Sequence, residues 1–348
     1  MKSRIVTIHD VAERAGVSVA TASRVLSQKG YYSKAAKRRV ETTARQLGYR
    51  VHGVARSLKR QQSNMIGLII ADILNPFYAT LADGVLARSS ELGFKMILSA
   101  TSEDSATEHE YIQMLLEERV AGIIAVPTSK SGEYWKEAVD FGTPVVFVDR
   151  DLSPHLIVDA VLVDNEGGGL EATRCLLQLG HARIGLINGP VSLMTGRQRL
   201  EGYRKAHAEA GILTDPDLIE LVSFKGQHGY EATMRLLSRP APPTAIFAAN
   251  NVLGEGAFFA IKELGLSIPG DVSLVMFDDV PWCRLVVPPV SVVKQPAFDV
   301  GYQGMEMLSR RLGMRHDMIK MEPQRLVLPT ELIVRGSCAR PRQLPRIE

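Results

Sequence analysis

Apolar positions in the first fifty residues recur at three- and four-residue steps. Ile8, Val11, Ala12 and Ala15 share one helical face, Thr7 with Asp10 forms a capping box ahead of it, and Gly16 closes it. Ser18 then caps a second helix carrying Ala22, Val25 and Leu26. Two short helices across a glycine-containing turn predict a helix-turn-helix. Beyond Gly30, Ser33 caps a third helix with Ala36, Val40, Ala44 and Leu47 on one face, stopped by Gly48. From Asn64 the pattern changes to short apolar runs at 66–70, 95–98, 122–126 and 144–148, and again at 183–187, 245–248 and 273–277, with amphipathic stretches between them. Alternating strands and helices of this kind predict doubly wound parallel sheets. The two series divide near residues 163–169, which predicts two similar lobes with a ligand cleft at the carboxyl ends of their strands.

Charge sharpens the division. Residues 1–62 hold fourteen Lys and Arg against three Asp and Glu, a charge of +11, so the rest of a chain of net charge +3 carries −8. A basic, helix-patterned segment on an acidic body points to a nucleic-acid-binding module. The whole chain, 348 residues with 45% hydrophobic and 23% charged positions, has the composition of a soluble multidomain protein. No apolar run is long enough to cross a bilayer and no secretory signal is readable, so the expected location is the cytoplasm. Cys175, Cys283 and Cys338 are too few and too scattered for a disulfide framework or a zinc site, and neither a metal nor a cofactor is expected.

The run Thr7-Ile8-His9-Asp10-Val11-Ala12-Glu13-Arg14-Ala15-Gly16-Val17-Ser18-Val19-Ala20-Thr21-Ala22-Ser23-Arg24-Val25-Leu26 closely resembles the headpiece of the lac repressor (LacI/GalR) family. The resemblance continues through Leu47-Gly48-Tyr49, Ala55-Arg56-Ser57-Leu58, Asn75-Pro76-Phe77-Tyr78, Val148-Asp149-Arg150, Gly180-His181, residues 197–203, Phe277-Asp278-Asp279 and Gln295-Pro296. It implies a small all-α helix-turn-helix headpiece joined to an α/β core of two doubly wound parallel-sheet lobes, like a periplasmic binding protein. The expected divisions are a headpiece at 1–50, a hinge helix at 51–62, a core at 63–340 and a tail at 341–348. Within the core, lobe 1 takes about 63–163 and 291–323, and lobe 2 about 164–290 and 324–340. The chain departs from the family at Ala22, Ser27, Val51-His52 and Asn251, where the family usually has Val, Asn, Pro-Asn and often Asp.

The resemblance also implies a homodimer that binds pseudo-palindromic operator DNA, with the second helix in the major groove. Arg24, Val19 and Ala20 are then the candidates for reading bases, while Thr7, Ser18, Thr21 and Ser23 would hold phosphates. Ala55, Arg56 and Leu58 match the hinge helix, in which the leucine wedges a minor-groove base step. In the core, Asn75, Phe77, Tyr78, Asp149, Arg150, Asn250 and Asp278 fall at strand ends, Arg197 and Gln295 join them by motif match, and Phe224 and Trp282 are candidate wall residues. Carboxylates, amides and guanidinium groups bond sugar hydroxyls while an aromatic face covers the ring, so the expected effector is a sugar or sugar-like molecule. Taken singly, each of these residues could equally be a helix cap, a turn or core.

Other functions stay open at this point. The arginines would also suit a sugar acid or phosphate, and a nucleoside or nucleobase is a further alternative. The core by itself reads as a solute-binding protein for sugar uptake, a reading that the basic headpiece opposes. No metalloprotease, hydrolase or nucleotide-phosphate motif is present, so an enzyme is not expected.

Overall fold

The headpiece helices form where local chemistry starts and stops them. Helix α1 (Ile8–Ala15) opens with Thr7 Oγ1 accepting from the Asp10 amide and Asp10 accepting from the Thr7 amide at 2.7 Å. It ends at Gly16, whose left-handed φ of 62° turns its N–H back onto the last turn. Ser18 Oγ accepts from the Thr21 amide at the start of α2 (Val19–Ser27), and Ser33 Oγ from the Ala36 amide at the start of α3 (Lys34–Gln46). Val11, Ala12, Ala15, Ala22, Val25, Val40 and Ala44 pack into one small core.

The computed structural model describes residues 6–27, 30–49, 63–128, 132–314 and 322–342. It divides into two compact units, Met1–Ser63 and Asn64–Glu348. The hinge candidates Ala55, Arg56 and Leu58 lie outside the described residues.

The second unit runs β1 (Met65–Ile70), α4 (Pro76–Glu91), β2 (Lys95–Ala100), α5 (Ser105–Glu117), β3 (Ile123–Ala125), α6 (Glu133–Asp140), β4 (Val145–Val148) and β5 (Asp159–Val163). It continues through α7 (Asn165–Gln178), β6 (Ile184–Asn188), α8 (Met194–Glu209), β7 (Ile219–Leu221), α9 (Gly226–Leu237), β8 (Ala245–Ala248), α10 (Asn251–Glu263) and β9 (Ser273–Phe277). The last elements are α11 (Trp282–Leu285), β10 (Ser291–Lys294), α12 (Ala297–Met314), β11 (Arg325–Leu328) and β12 (Glu331–Ile333).

These strands make two six-stranded sheets, ordered β11-β5-β4-β3-β1-β2 and β12-β10-β9-β8-β6-β7, parallel except for β12. Each sheet is buried on both faces, as in Ile66, Leu68 and Ile70 on one side of β1 and Ile69 on the other. Helices α4 and α12 touch backbone to backbone, because a Cβ on Gly84 would lie 2.1 Å from the Phe298 carbonyl oxygen.

The chain crosses between the lobes three times, at 163–165, 294–297 and 328–331. The first lies where the two strand series divide. The other two correct the expected lobe limits: residues 291–294 pair with β9 in the second sheet, and residues 325–328 pair with β5 in the first. The reason lies in pairing. Val292 and Val293 lie beside Met276 and Phe277 of β9, and Leu326 and Val327 complete the open edge of β5. The first and third crossovers are tied together by the Asp164 amide donating to the Leu328 carbonyl at 2.9 Å.

Candidate functional site

Both sheets point the carboxyl ends of their strands at one cleft, and each contributes a carboxylate from an equivalent place. Asp149 follows β4 and Asp278 follows β9, the third strand in each sheet order. Each amide bonds the neighbouring strand, Asp149 N–H to Val161 at 3.0 Å and Asp278 N–H to Val293 at 2.9 Å. Both have positive φ, 67° and 74°, a strained conformation for a residue with a side chain. That conformation is what turns the two buried carboxylates into the cleft rather than along the strand.

Each carboxylate sits in its own network. Asp278 accepts from Gln295 Nε2 on one oxygen and from Asn251 Nδ2 at 2.7 Å on the other. Asp149 accepts from the Tyr78 hydroxyl at 3.3 Å, and that hydroxyl accepts from Arg150 Nη2 at 2.9 Å. Arg150 forks onto both oxygens of Glu103 at 2.6 and 2.8 Å. Arg199, reaching in from α8, donates to Asn165 and to the Ala249 carbonyl and lies 4.0 Å over the Phe277 ring.

Burial sets the proton affinities. Loss of water holds the Asp149 carboxyl above the usual carboxylate range, a shift that Arg150 and Arg199 only partly offset. Burial also raises the Tyr78 phenol and lowers Arg199. It works against the charge of Arg150 too, but Glu103, Tyr78 and Asp149 outweigh it and leave that guanidinium more firmly protonated than usual.

The structure brings Asn75, Phe77, Tyr78, Asp149, Arg150, Phe224, Asn250, Asp278 and Gln295 to this one cleft. Two expectations fail. Arg197 is exposed and lies outside the inner cleft, whereas Arg199, two residues on, is buried and lines it. Trp282 is not a wall residue: it packs on Phe258 with ring centroids 5.5 Å apart, against the core of the second lobe. Asp72, Glu103 and Thr195 line the cleft without having been singled out in the sequence, and Asn251 bridges two of its residues. Helical periodicity around Arg199 carried a usable signal; the others have none that short-range pattern reveals.

The cleft is drawn tight. Asn251 Nδ2 donates to Asn75 Oδ1 across it, and the hollow there is about 20 Å³, room for little more than a water molecule. Thr195 Oγ1 and Gln295 Oε1 are buried there without a hydrogen-bond partner. Buried polar atoms are nearly always paired, so unpaired ones concentrated in a cleft point to a ligand that pairs them.

In the headpiece, the face of α2 away from the core shows Val19, Ala20 and Arg24 exposed, with Ser23 half-buried beside them. Arg24 runs alongside Gly30, where a Cβ would sit 3.5 Å from its Cδ. Thr7 and Ser18 spend part of their bonding capacity as caps, and the Ser18 and Thr21 hydroxyls share a hydrogen bond of 2.9 Å. Among the described residues no group of His, Cys, Asp and Glu is arranged to hold a metal ion, and no helix is long and apolar enough to cross a membrane.

Comparison with known proteins places this geometry. Residues 63–333 match the family described as periplasmic binding proteins and sugar binding domain of LacI family, and residues 7–51 match bacterial regulatory proteins, lacI family. The chain is 36% identical to the HTH-type transcriptional regulator DegA of Bacillus subtilis (strain 168), over 95% of this chain and 97% of that protein. It is similar to the lac repressor dimer bound to operator and the anti-inducer ONPF, with a TM-score of 0.83, 27% identity and coverage of 97% of this chain and 100% of that one. The complex of the transcriptional regulator CelR with cellobiose matches with a TM-score of 0.73 at 30% identity, covering 96% of this chain and 100% of that one.

Proposed function

The chain belongs to the LacI family of bacterial transcription regulators, and we propose that a sugar or sugar-like ligand in the cleft sets how tightly its headpiece holds operator DNA. The relatives and structural neighbours are regulators rather than enzymes. The observation that carries the ligand reading is the pair of buried carboxylates at equivalent strand ends, set among polar atoms that lack partners. Ionised carboxylates accept from adjacent ring hydroxyls, and Phe77 and Phe224 offer apolar faces beside them. The sugar bound in the CelR complex supports the same chemistry.

A ring does not fit a hollow of about 20 Å³, so binding requires the lobes to part at the Asn251–Asn75 bond or Arg150 to leave Glu103. Parting at the Asn251–Asn75 bond displaces one lobe against the other and gives the ligand a differential hold on two core shapes, the physical requirement for control.

For DNA, Arg24, Val19 and Ala20 read bases while Thr7, Ser18, Thr21 and Ser23 meet phosphates, and Ala55, Arg56 and Leu58 serve the hinge. The +11 charge of residues 1–62 supports this reading. The lac repressor match, a dimer, supports a homodimer on a pseudo-palindromic site, with the exposed Leu98 on edge strand β2 among the apolar residues available for pairing. A regulator of this kind works in the cytoplasm, where the DNA is. A thermal-shift screen of carbohydrates followed by operator titration with each hit tests the proposal; no hit from the screen, or hits that leave operator affinity unchanged, would contradict it.

A further inference from the structure

The second lobe gives the cleft an aromatic wall, Phe224, and that ring is seated on a glycine that does not itself line the cleft. Gly189 follows β6 at the carboxyl end of the strand and is buried. A Cβ there would lie 2.0 Å from Phe224 Cζ, 2.3 Å from Cε1 and 2.7 Å from Cε2, whereas ordinary contact begins at 3.4 Å. The ring therefore meets Gly189 end-on. Cζ lies on the axis about which a phenyl ring flips, so a flip relieves none of that overlap and the whole side chain would have to swing.

The surroundings decide what gives way. Val222 N–H donates to the Asn188 carbonyl at 2.9 Å, which holds the backbone leading to Phe224 beside Gly189. From the other side the 189–190 backbone is pressed against the first turn of α8. A Cβ on Gly196 would lie 2.4 Å from the Pro190 carbonyl oxygen and 2.9 Å from that of Gly189, and Asn188 Nδ2 donates to the Gly196 carbonyl at 2.8 Å. The same helix carries Thr195 and Arg199 into the cleft. The backbone at 189 is thus clamped. Phe224 is half-buried, packed on the core of the second lobe and facing the cleft. A side chain at 189 would move the ring rather than the backbone, and the cleft is the open direction.

We infer that Gly189 is a positioning residue that sets the specificity of the cleft: having no side chain, it lets the Phe224 ring sit back and so fixes the bulk that an effector can carry on that face. This rests on the cleft reading given above, in which Phe224 covers an apolar face of the ligand. A larger residue at 189 brings the wall inward, and one methylene too many against such a wall costs roughly tenfold or more in affinity.

Calorimetry on the full chain tests it with matched sugars that differ by one hydroxymethyl group: D-xylose and D-glucose, L-arabinose and D-galactose, D-lyxose and D-mannose, D-ribose and D-allose. Each sugar that the parent binds should weaken about tenfold or more in Gly189→Ala, and where both members of a pair bind, the six-carbon one should lose more. Leucine lacks the Cε and Cζ atoms that crowd Gly189, so in the Phe224→Leu background Gly189→Ala should cost less than about twofold, a coupling that a merely structural role would not produce. A crystal structure of Gly189→Ala gives a readout that needs no ligand: the Phe224 ring should have swung into the cleft with residues 188–190 in place. The inference is overturned if Gly189→Ala binds sugars as the parent does, if it costs as much in the Phe224→Leu background as in the parent, or if the backbone moves and the ring stays. A Gly189→Ala chain that does not fold would overturn it as well, since a seat that sets specificity leaves the fold standing. A parent that binds none of the sugars would contradict the cleft reading and take the inference with it.

Discussion

Asn251 Nδ2 donates to Asn75 Oδ1 at 2.9 Å and to Asp278 Oδ2 at 2.7 Å, so one buried amide holds the cap of α4 in the first lobe to a carboxylate of the second. An aspartate at 251 could donate to neither and would face Asp278 with like charge. Asn251→Asp is therefore expected to open the ligand-free core and to lower stability by roughly 1–3 kcal/mol, the cost of leaving buried partners unpaired. Small-angle scattering and denaturant titration of the full chain check this; an unchanged radius of gyration with unchanged stability would show that the bond does not hold the lobes together.

Asp149 carries a pH signature. Burial raises its folded-state pKa above the unfolded value, so the fold favours the protonated form, and that contribution is lost as pH rises through the raised pKa. Asp149→Asn removes the ionisation, and asparagine tolerates the φ of 67° at that position. The variant should melt at a higher temperature than the parent at neutral pH, with the gap closing as acid protonates Asp149 in the parent, and it should bind effector more weakly. A gap that widens toward acid would mean the sign is wrong.

The two arginines in the first turns of α8 show how far sequence reaches and where it stops. Residues two apart on a helix point about 200° from each other, so only one of Arg197 and Arg199 can face the cleft. Motif position favours Arg197, whereas helical period favours Arg199, which shares a face with Thr195, Tyr203 and Ala206, all buried. The period was readable in the sequence and was the better guide. The fate of residues 291–294 and 325–328 was not readable, because an apolar strand pattern says that a strand forms and not which sheet edge receives it. Nor was the role of Glu103, which meets Arg150 only because the loops after β2 and β4, strands separated in the sheet by β3 and β1, converge at the same end of it. The headpiece, by contrast, was legible almost whole, since caps and apolar periods at Thr7, Gly16, Ser18 and Ser33 are local chemistry.

In the headpiece, Arg24→Ala and Lys37→Ala should differ in kind. Arg24→Ala is expected to relax preference at one base pair in each half-site at a cost of about 1–3 kcal/mol. Lys37, exposed and 3.9 Å from Glu41, should when changed to Ala weaken all sequences alike and reduce the salt slope. Anisotropy titrations over a set of operator point variants separate the two; uniform losses for both would remove Arg24 from base reading.

Glycines in the helices give opposite expectations by site. A Cβ on Gly301 would meet the Leu81 carbonyl oxygen at 2.0 Å, so Gly301→Ala should destabilise the core by about 1–3 kcal/mol or more. A Cβ on Gly313, near the end of the same helix, would meet nothing within 4 Å, so Gly313→Ala should stabilise it by up to about 1 kcal/mol. Denaturant midpoints measure both, and equal effects would contradict the close α4–α12 packing.

The central claim, that a ligand at the paired carboxylates controls the headpiece, is tested most directly by operator titration of the full chain and of Asp278→Ala, with and without a ligand found by thermal shift. Without ligand the two should bind operator alike, since the change lies in the second unit and the headpiece has its own core. With ligand the parent should shift its operator affinity by about tenfold or more, while the variant, lacking an acceptor for roughly 1.5–3 kcal/mol of charge-assisted bonding, should shift little or not at all. A variant that responds to ligand as fully as the parent would contradict the account.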